Sequence, residues 1–122
     1  MEKLFFIIDD DSLQNEIHTI LLNKFIPEAK VQCYLNSKKA ITALDKGLNP
    51  DIIFLDLNIP GEGVTDFLDA HLRKNYQSEI YLMSSLVYID DTKFMKKYPA
   101  IRDFITKPLL DYKLKSIVRQ YA

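Results

Sequence analysis

The sequence predicts an α/β fold: a five-stranded parallel sheet covered by helices on both faces. Three observations predict it. Short apolar runs alternate with stretches of helical period along all 122 residues. Several of the runs are too continuously apolar for a sheet wetted on one side. The segments between them are long enough for right-handed helical crossovers, each returning the chain beside an earlier strand.

The strands are read as KLFFII (3–8), KVQCYL (30–35), DIIFLD (51–56), IYLM (80–83) and RDFIT (102–106). After the first, a cap at Asp11 or Ser12 starts a helix whose apolar stripe is Leu13, Ile17, Ile20, Leu21 and Phe25. Ala40, Ala43 and Leu44 make a second stripe, ended by Gly47. Val64, Phe67, Leu68 and Leu72 make a third, and Leu110, Leu114, Ile117, Val118 and Tyr121 a last. The segment from Asp90 to Tyr98 is the least regular, with Phe94, Met95 and Tyr98 among lysines before Pro99 stops it. Residues 1–122 are expected to form one domain, since neither an internal repeat nor a linker interrupts the alternation.

Composition narrows the function. A hydrophobic fraction of 48% is enough for a real core, and a net charge of −1 gives no general case for binding nucleic acid. The single cysteine, Cys33, cannot form an internal disulfide and sits in the apolar stretch VQCYL, so a buried free thiol in a reducing compartment is expected. No apolar run approaches the roughly 20 residues of a membrane span, and the start MEKLFFIIDDD lacks a cleavable small-residue end, so the expected location is the cytoplasm. Charge is unevenly spread: residues 1–70 carry 12 acids and 6 bases, whereas residues 91–122 carry 3 acids and 8 bases. The final third therefore reads either as solvated helix faces or as a basic docking surface.

The acids are concentrated where such a sheet works. Open parallel sheets bind ligands beyond the carboxyl ends of their strands. Asp9 and Asp10 end strand 1, Asp56 ends strand 3, Ser84 and Ser85 end strand 4, and Lys107 ends strand 5. Two carboxylates about 4 Å apart at an effective dielectric near 20 repel by about 4 kcal/mol, so a cation should offset them. A small hard ion that prefers oxygen ligands, such as Mg²⁺, fits that need. Carboxylates, metal, hydroxyl and lysine together form a cradle for a phosphoryl group, with one Asp available as nucleophile. Asp11 reads as a helix N-terminal acid. His18 and His71 lie beside or on apolar helical stripes with no second ligand-type residue at metal spacing, so neither reads as a metal ligand or phosphohistidine.

FFIIDDDS, DIIFLDLNIP, YLMSS and FITKP resemble, in order and at nearly matching intervals, the landmarks of the response-regulator receiver domain, the CheY-like module of two-component signalling. The resemblance implies a flavodoxin-like (βα)5 doubly wound sandwich of strand order 2-1-3-4-5. It implies that Asp56 is the phospho-acceptor and, with Asp10, a direct Mg²⁺ ligand, that Asp9 supports the metal, often through water, and that the backbone carbonyl of Asn58 is a further ligand. Lys107, before a cis Pro108, would pair with the phosphoryl group; Ser84 would take the place of the family's Thr or Ser, and Phe104 that of its switch aromatic. The implied partners are a histidine kinase or histidine phosphotransfer protein upstream. Downstream, a protein or a second copy would dock on the face made by helix 4, strand 5 and helix 5, which carries Phe94, Tyr98, Lys93, Lys96, Lys97, Lys113 and Lys115. Neither nucleic acid nor membrane is an expected partner, and the output is expected to be protein contact.

Three features depart from the family pattern. PGEG leaves two residues between Pro60 and Gly63 where the family has three; Ser84 replaces the commoner Thr; and KYPAIRDF stands in place of a glycine-containing turn before strand 5. Leu86, two beyond Ser84, puts an apolar group where a polar one could orient water, which suggests a long-lived acyl phosphate. Rival readings are a haloacid-dehalogenase-type phosphatase, from the Asp-x-Asp of FFIIDDDSL, and a scaffold that has lost the chemistry. The first lacks a general acid at Asn58, and the full acid-and-lysine set argues against the second. A flavodoxin-like cofactor binder lacks the phosphate loop after strand 1, where acids would repel the phosphate.

Overall fold

A computed structural model describes residues 3–59, 63–84, 92–107, 109 and 111–119, without the side chains of residues 92–94 and 111. Strands and helices alternate as β1 (Leu4–Ile8), α1 (Ser12–Phe25), β2 (Lys30–Tyr34), α2 (Ser37–Asp45), β3 (Ile52–Asp56), α3 (Gly63–Lys74), β4 (Glu79–Ser84), α4 (Thr92–Lys97), β5 (Ile101–Thr106) and α5 (Asp111–Val118). The sheet has the order β2-β1-β3-β4-β5, and every pairing is parallel. All five expected strands are present, each within two residues of its expected ends.

Alternation along the central strands builds two cores. Phe5, Ile7, Ile52 and Phe54 point to one face, where they meet Leu22 and Ile26 at the end of α1 and Leu114 and Val118 of α5. Phe6, Ile8, Ile53 and Leu55 point to the other, against Ala40, Ala43 and Leu44 of α2 and Phe67 and Leu68 of α3. With both faces covered, β3 is buried at every position, which is why its sequence reads as an unbroken apolar run.

The helices follow the expected stripes except through much of α1 and at one position of α3. α1 buries Asn15, His18 and Leu22, while Leu13, Ile17 and Ile20 of the expected stripe are 62%, 43% and 64% exposed. Three hydrogen bonds set this rotation. Asp11 caps the helix, its side chain accepting from the backbone N–H groups of Leu13 and Gln14, and the Asn15 side-chain amide donates to the Asp9 carbonyl at 2.9 Å. The stripe facing the sheet is therefore 15-18-22, and Leu21 and Phe25 lie half-buried at its margin. In α3, Phe67 and Leu68 are buried and Val64 packs beside them, but Leu72 is exposed and His71 is buried in its stead. In α5, Leu114 and Val118 are buried with Ile117 half-buried beside them; Leu110 and Tyr121 lie outside the described residues.

Two further expectations change. Cys33 is exposed rather than buried: it stands on β2, the edge strand of the sheet, with its Sγ at the margin of α1, 3.3 Å from Thr19 Oγ1. Tyr98, expected on a docking face, is buried: its hydroxyl donates to Asp69 Oδ1 at 2.7 Å, tying the residue after α4 to α3. Burial and that carboxylate push the Tyr98 phenol up to about 12. Gly47 closes α2 with φ of 95°, a left-handed conformation that glycine adopts without penalty.

The rotation of α1 is directly measurable. Leu22→Ala should lower the free energy of unfolding by about 2–5 kcal/mol, whereas Ile20→Ser should stay within about 0.5 kcal/mol of wild type in urea denaturation. Equal losses at the two positions would place the stripe where the apolar pattern alone puts it.

Candidate functional site

The carboxyl ends of β1, β3, β4 and β5 meet at one edge of the sheet. Asp9 directly follows β1, Asp56 is the last residue of β3, Ser84 the last of β4, and Lys107 directly follows β5. Parallel register brings them together: Ile8 pairs with Leu55, Asp56 with Met83, and Ser84 with Thr106. The backbone ladder extends one step further, Leu57 N–H donating to the Met83 carbonyl at 2.8 Å and Lys107 N–H to the Ser84 carbonyl at 2.7 Å. The reactive groups thus stand on hydrogen-bonded backbone.

Asp9, Asp56 and Ser84 are buried, Lys107 is mostly buried and Asp10 is exposed. The Lys107 ammonium lies between the two buried acids, 2.8 Å from Asp9 Oδ2 and 3.3 Å from Asp56 Oδ2. Each acid is also oriented by local backbone: Asp11 N–H donates to Asp9 Oδ1 and Asn58 N–H to Asp56 Oδ1, both at 3.0 Å. These turns aim the second oxygen of each carboxylate at the lysine.

Electrostatics follow from that packing. Burial raises the Asp56 carboxyl above the ordinary carboxylate range; the Asn58 N–H opposes this, Asp9 adds to it and Lys107 opposes it, with a net upward shift. Burial alone would lower Lys107, but pairing with Asp9 and Asp56 outweighs it and moves the ammonium up. One carboxylate oxygen from each of Asp9, Asp10 and Asp56 lies within 4.8 Å of the others. Such an all-oxygen set, with one member open to solvent, fits a small hard cation.

A conserved sequence family accounts for this arrangement of elements. The response regulator receiver domain family matches residues 5–119. The chain belongs to that family. Solved receivers share its fold: a CheY-like receiver domain protein from Methanospirillum hungatei JF-1 superposes with a TM-score of 0.81 at 15% identity, covering 99% of this chain and 94% of that one. Vibrio cholerae chemotaxis protein CheY4 gives 0.82 at 14% identity over the full length of both chains. The response regulator TrrA of Thermotoga maritima, determined in complex with Mg(2+)-BeF, gives 0.79 at 18% identity, covering 98% of this chain and 99% of that one. No curated protein matches the chain by sequence.

Within this receiver, Asp9, Asp10, Asp56, Ser84 and Lys107 gather at one edge as the strand ends imply. Asn58 is exposed, two residues past Asp56, and Phe104 is half-buried against the α2–α3 core. Ser85, Leu86, residues 60–62 with the shortened turn, and Pro108 with its expected cis bond lie outside the described residues. Two residues of this neighbourhood were not legible as such: Asn15, bonded to the Asp9 carbonyl, and His18, buried close enough to Asp9 and Lys107 to feel both charges. Counting the helix phase from Asp11 as cap would have placed both on the sheet side.

Because Asp56 is raised, ionising it opposes folding once the pH rises through its folded value, and the opposition vanishes below the ordinary carboxylate value near 3.8. Asp56→Asn should therefore be more stable than metal-free wild type at pH 7. That advantage should shrink as the pH is lowered toward 4, as read by chemical denaturation at each pH. A variant less stable than wild type at pH 7 would show that the lysine outweighs the burial of the charge.

Proposed function

We propose that this receiver accepts a phosphoryl group on Asp56 from a phosphohistidine of a histidine kinase or phosphotransfer protein, and that the resulting acyl phosphate switches a protein-docking surface. One observation carries the reading: two buried carboxylates from separate strands share a single lysine at the carboxyl edge of the sheet, with a third carboxylate open to solvent beside them. In the transfer, an Asp56 oxygen attacks phosphorus, the new O–P bond replaces the P–N bond, and the electron pair leaves with the donor imidazole.

Mg²⁺, held by Asp9, Asp10 and Asp56 and the Asn58 carbonyl, would supply charge balance for the phosphoryl oxygens. The chain's own groups do the rest. Lys107 transfers its pairing from Asp9 and Asp56 to the incoming phosphoryl oxygens. Ser84, at the end of β4, offers a hydroxyl hydrogen bond to them. The Asn58 N–H fixes one Asp56 oxygen so that the other can act as nucleophile.

Drawing Ser84 toward the phosphoryl group opens space along β4 and β5, which Phe104 is placed to fill. Phe104 pairs with Leu82 across the two strands and borders an open groove of about 420 Å³ with Tyr112 and Lys113. The face it would change carries exposed Lys96, Lys97 and Lys115, with exposed Met95 and Tyr112 as its apolar content now that Tyr98 is buried. Phe94 and Lys93 have side chains outside the described set. A basic rim around such a centre suits an acidic protein partner or a second copy.

The test is labelling with acetyl phosphate and Mg²⁺, followed by mass spectrometry. One phosphoryl adduct is expected on Asp56, lost in Asp56→Asn and on chelation, with no sustained hydrolysis of p-nitrophenyl phosphate. Labelling that persists at another Asp, or continuous turnover of the ester, would overturn the reading. Beryllofluoride should likewise shift amides across residues 95–115 in NMR spectra, and less so in Ser84→Ala and Phe104→Ala.

A further inference from the structure

Asn15 and His18 stand one turn apart on the sheet-facing side of α1, and both are buried. The Asn15 amide nitrogen is satisfied by the Asp9 carbonyl, but Asn15 Oδ1 and both ring nitrogens of His18 have no hydrogen-bond partner in the protein. Asp9 Oδ2 is met only by the Lys107 ammonium, 2.8 Å away as an ion pair. With Asp9 Oδ2, which only the ion pair meets, these make up four of the five buried polar side-chain atoms that lack a hydrogen bond among the described residues. Each such atom costs about 1–3 kcal/mol if nothing meets it. Their concentration beside Asp9 and Lys107 is the observation to be explained.

We propose that Asn15 and His18 hold buried water against Asp9, making His18 a positioning residue for the carboxylate–lysine site. The chemistry of three of the four atoms suits one. A neutral imidazole offers one donor and one acceptor, whereas Asn15 Oδ1 and Asp9 Oδ2 only accept. A water that accepts from the His18 N–H and donates to Asn15 Oδ1 and Asp9 Oδ2 has three partners, the usual number for a buried water. The imidazole is neutral as this requires: burial pushes His18 below its ordinary value, Asp9 pulls it back and Lys107 adds to the lowering.

The consequence rests on the proposed phosphoryl chemistry. When Lys107 turns from Asp9 to phosphoryl oxygens, Asp9 Oδ2 loses its counter-charge, and the water keeps the carboxylate aimed at the cation site. An apolar side chain at position 18 would pack as well or better, but would leave Asp9 with one oriented oxygen instead of two. Groups that orient metal ligands typically change metal affinity by 10–100-fold.

The full chain is compared as wild type, His18→Leu and His18→Gln. In the metal-free wild type, NMR cross-relaxation should show long-lived water at the His18 ring protons. His18→Leu should fold with unchanged or higher thermal stability yet bind Mg²⁺ about tenfold more weakly. His18→Gln, with a donor and an acceptor, should recover most of that affinity. Absence of long-lived water, Mg²⁺ binding by His18→Leu within about twofold of wild type, failure of Gln to restore it, or loss of stability in His18→Leu would each overturn the proposal. Failure of the phosphoryl reading is separately visible: wild type would then not be labelled at Asp56, while the metal-free water signal would still report on His18.

Discussion

Lys107 holds the molecule's chemistry and its fold in one place. Its ammonium is shared by Asp9 and Asp56, which stand on separate strands and would otherwise face each other as buried like charges. A buried charge is tolerated when paired, and removing the lysine, which would leave two buried carboxylates without a counter-ion, costs about 3–5 kcal/mol. The lysine is therefore an internal counter-ion for the two acids, and in the proposed function it yields that place to charge from outside. Any cation or phosphoryl group that enters must reorganise this triad.

Everything around the triad fixes its geometry. β1 and β3 are central and covered on both faces, so their last residues cannot drift. The bonds from Leu57 N–H to Met83 and from Lys107 N–H to Ser84 continue the ladder just past the strands, where the reactive side chains begin. Asp11 and Asn58 N–H groups then orient one oxygen of each acid. On the side of α4 and α5, Tyr98 fastens the end of α4 to Asp69, Lys113 donates to the Thr106 carbonyl, and Leu114 and Val118 of α5 are buried in the core.

Most of the fold and the gathering of Asp9, Asp10, Asp56, Ser84 and Lys107 were legible because both follow from one rule. Unbroken apolar runs mean buried parallel strands, and parallel strands end on the same side. What was not legible depended on which of two weak signals wins. In α1 the apolar spacing pointed Leu13, Ile17 and Ile20 inward, but the Asp11 cap and the Asn15–Asp9 bond rotate the helix and bury His18 instead. Cys33 reads as core by its neighbours yet lies on an edge strand, a property of strand order that local sequence does not carry. Tyr98 was misplaced for a similar reason: its partner Asp69 is 29 residues away.

The central claim, that Lys107 occupies the electrostatic place of an incoming cation, is tested most directly by Mg²⁺ affinity in Lys107→Met. Deleting the internal counter-ion leaves Asp9, Asp10 and Asp56 as an unbalanced oxygen cluster, so calorimetric or NMR titration should show Mg²⁺ bound severalfold more tightly than by wild type. Binding unchanged or weakened in Lys107→Met would mean that the lysine and the cation do not compete for the same carboxylates, and would contradict the account.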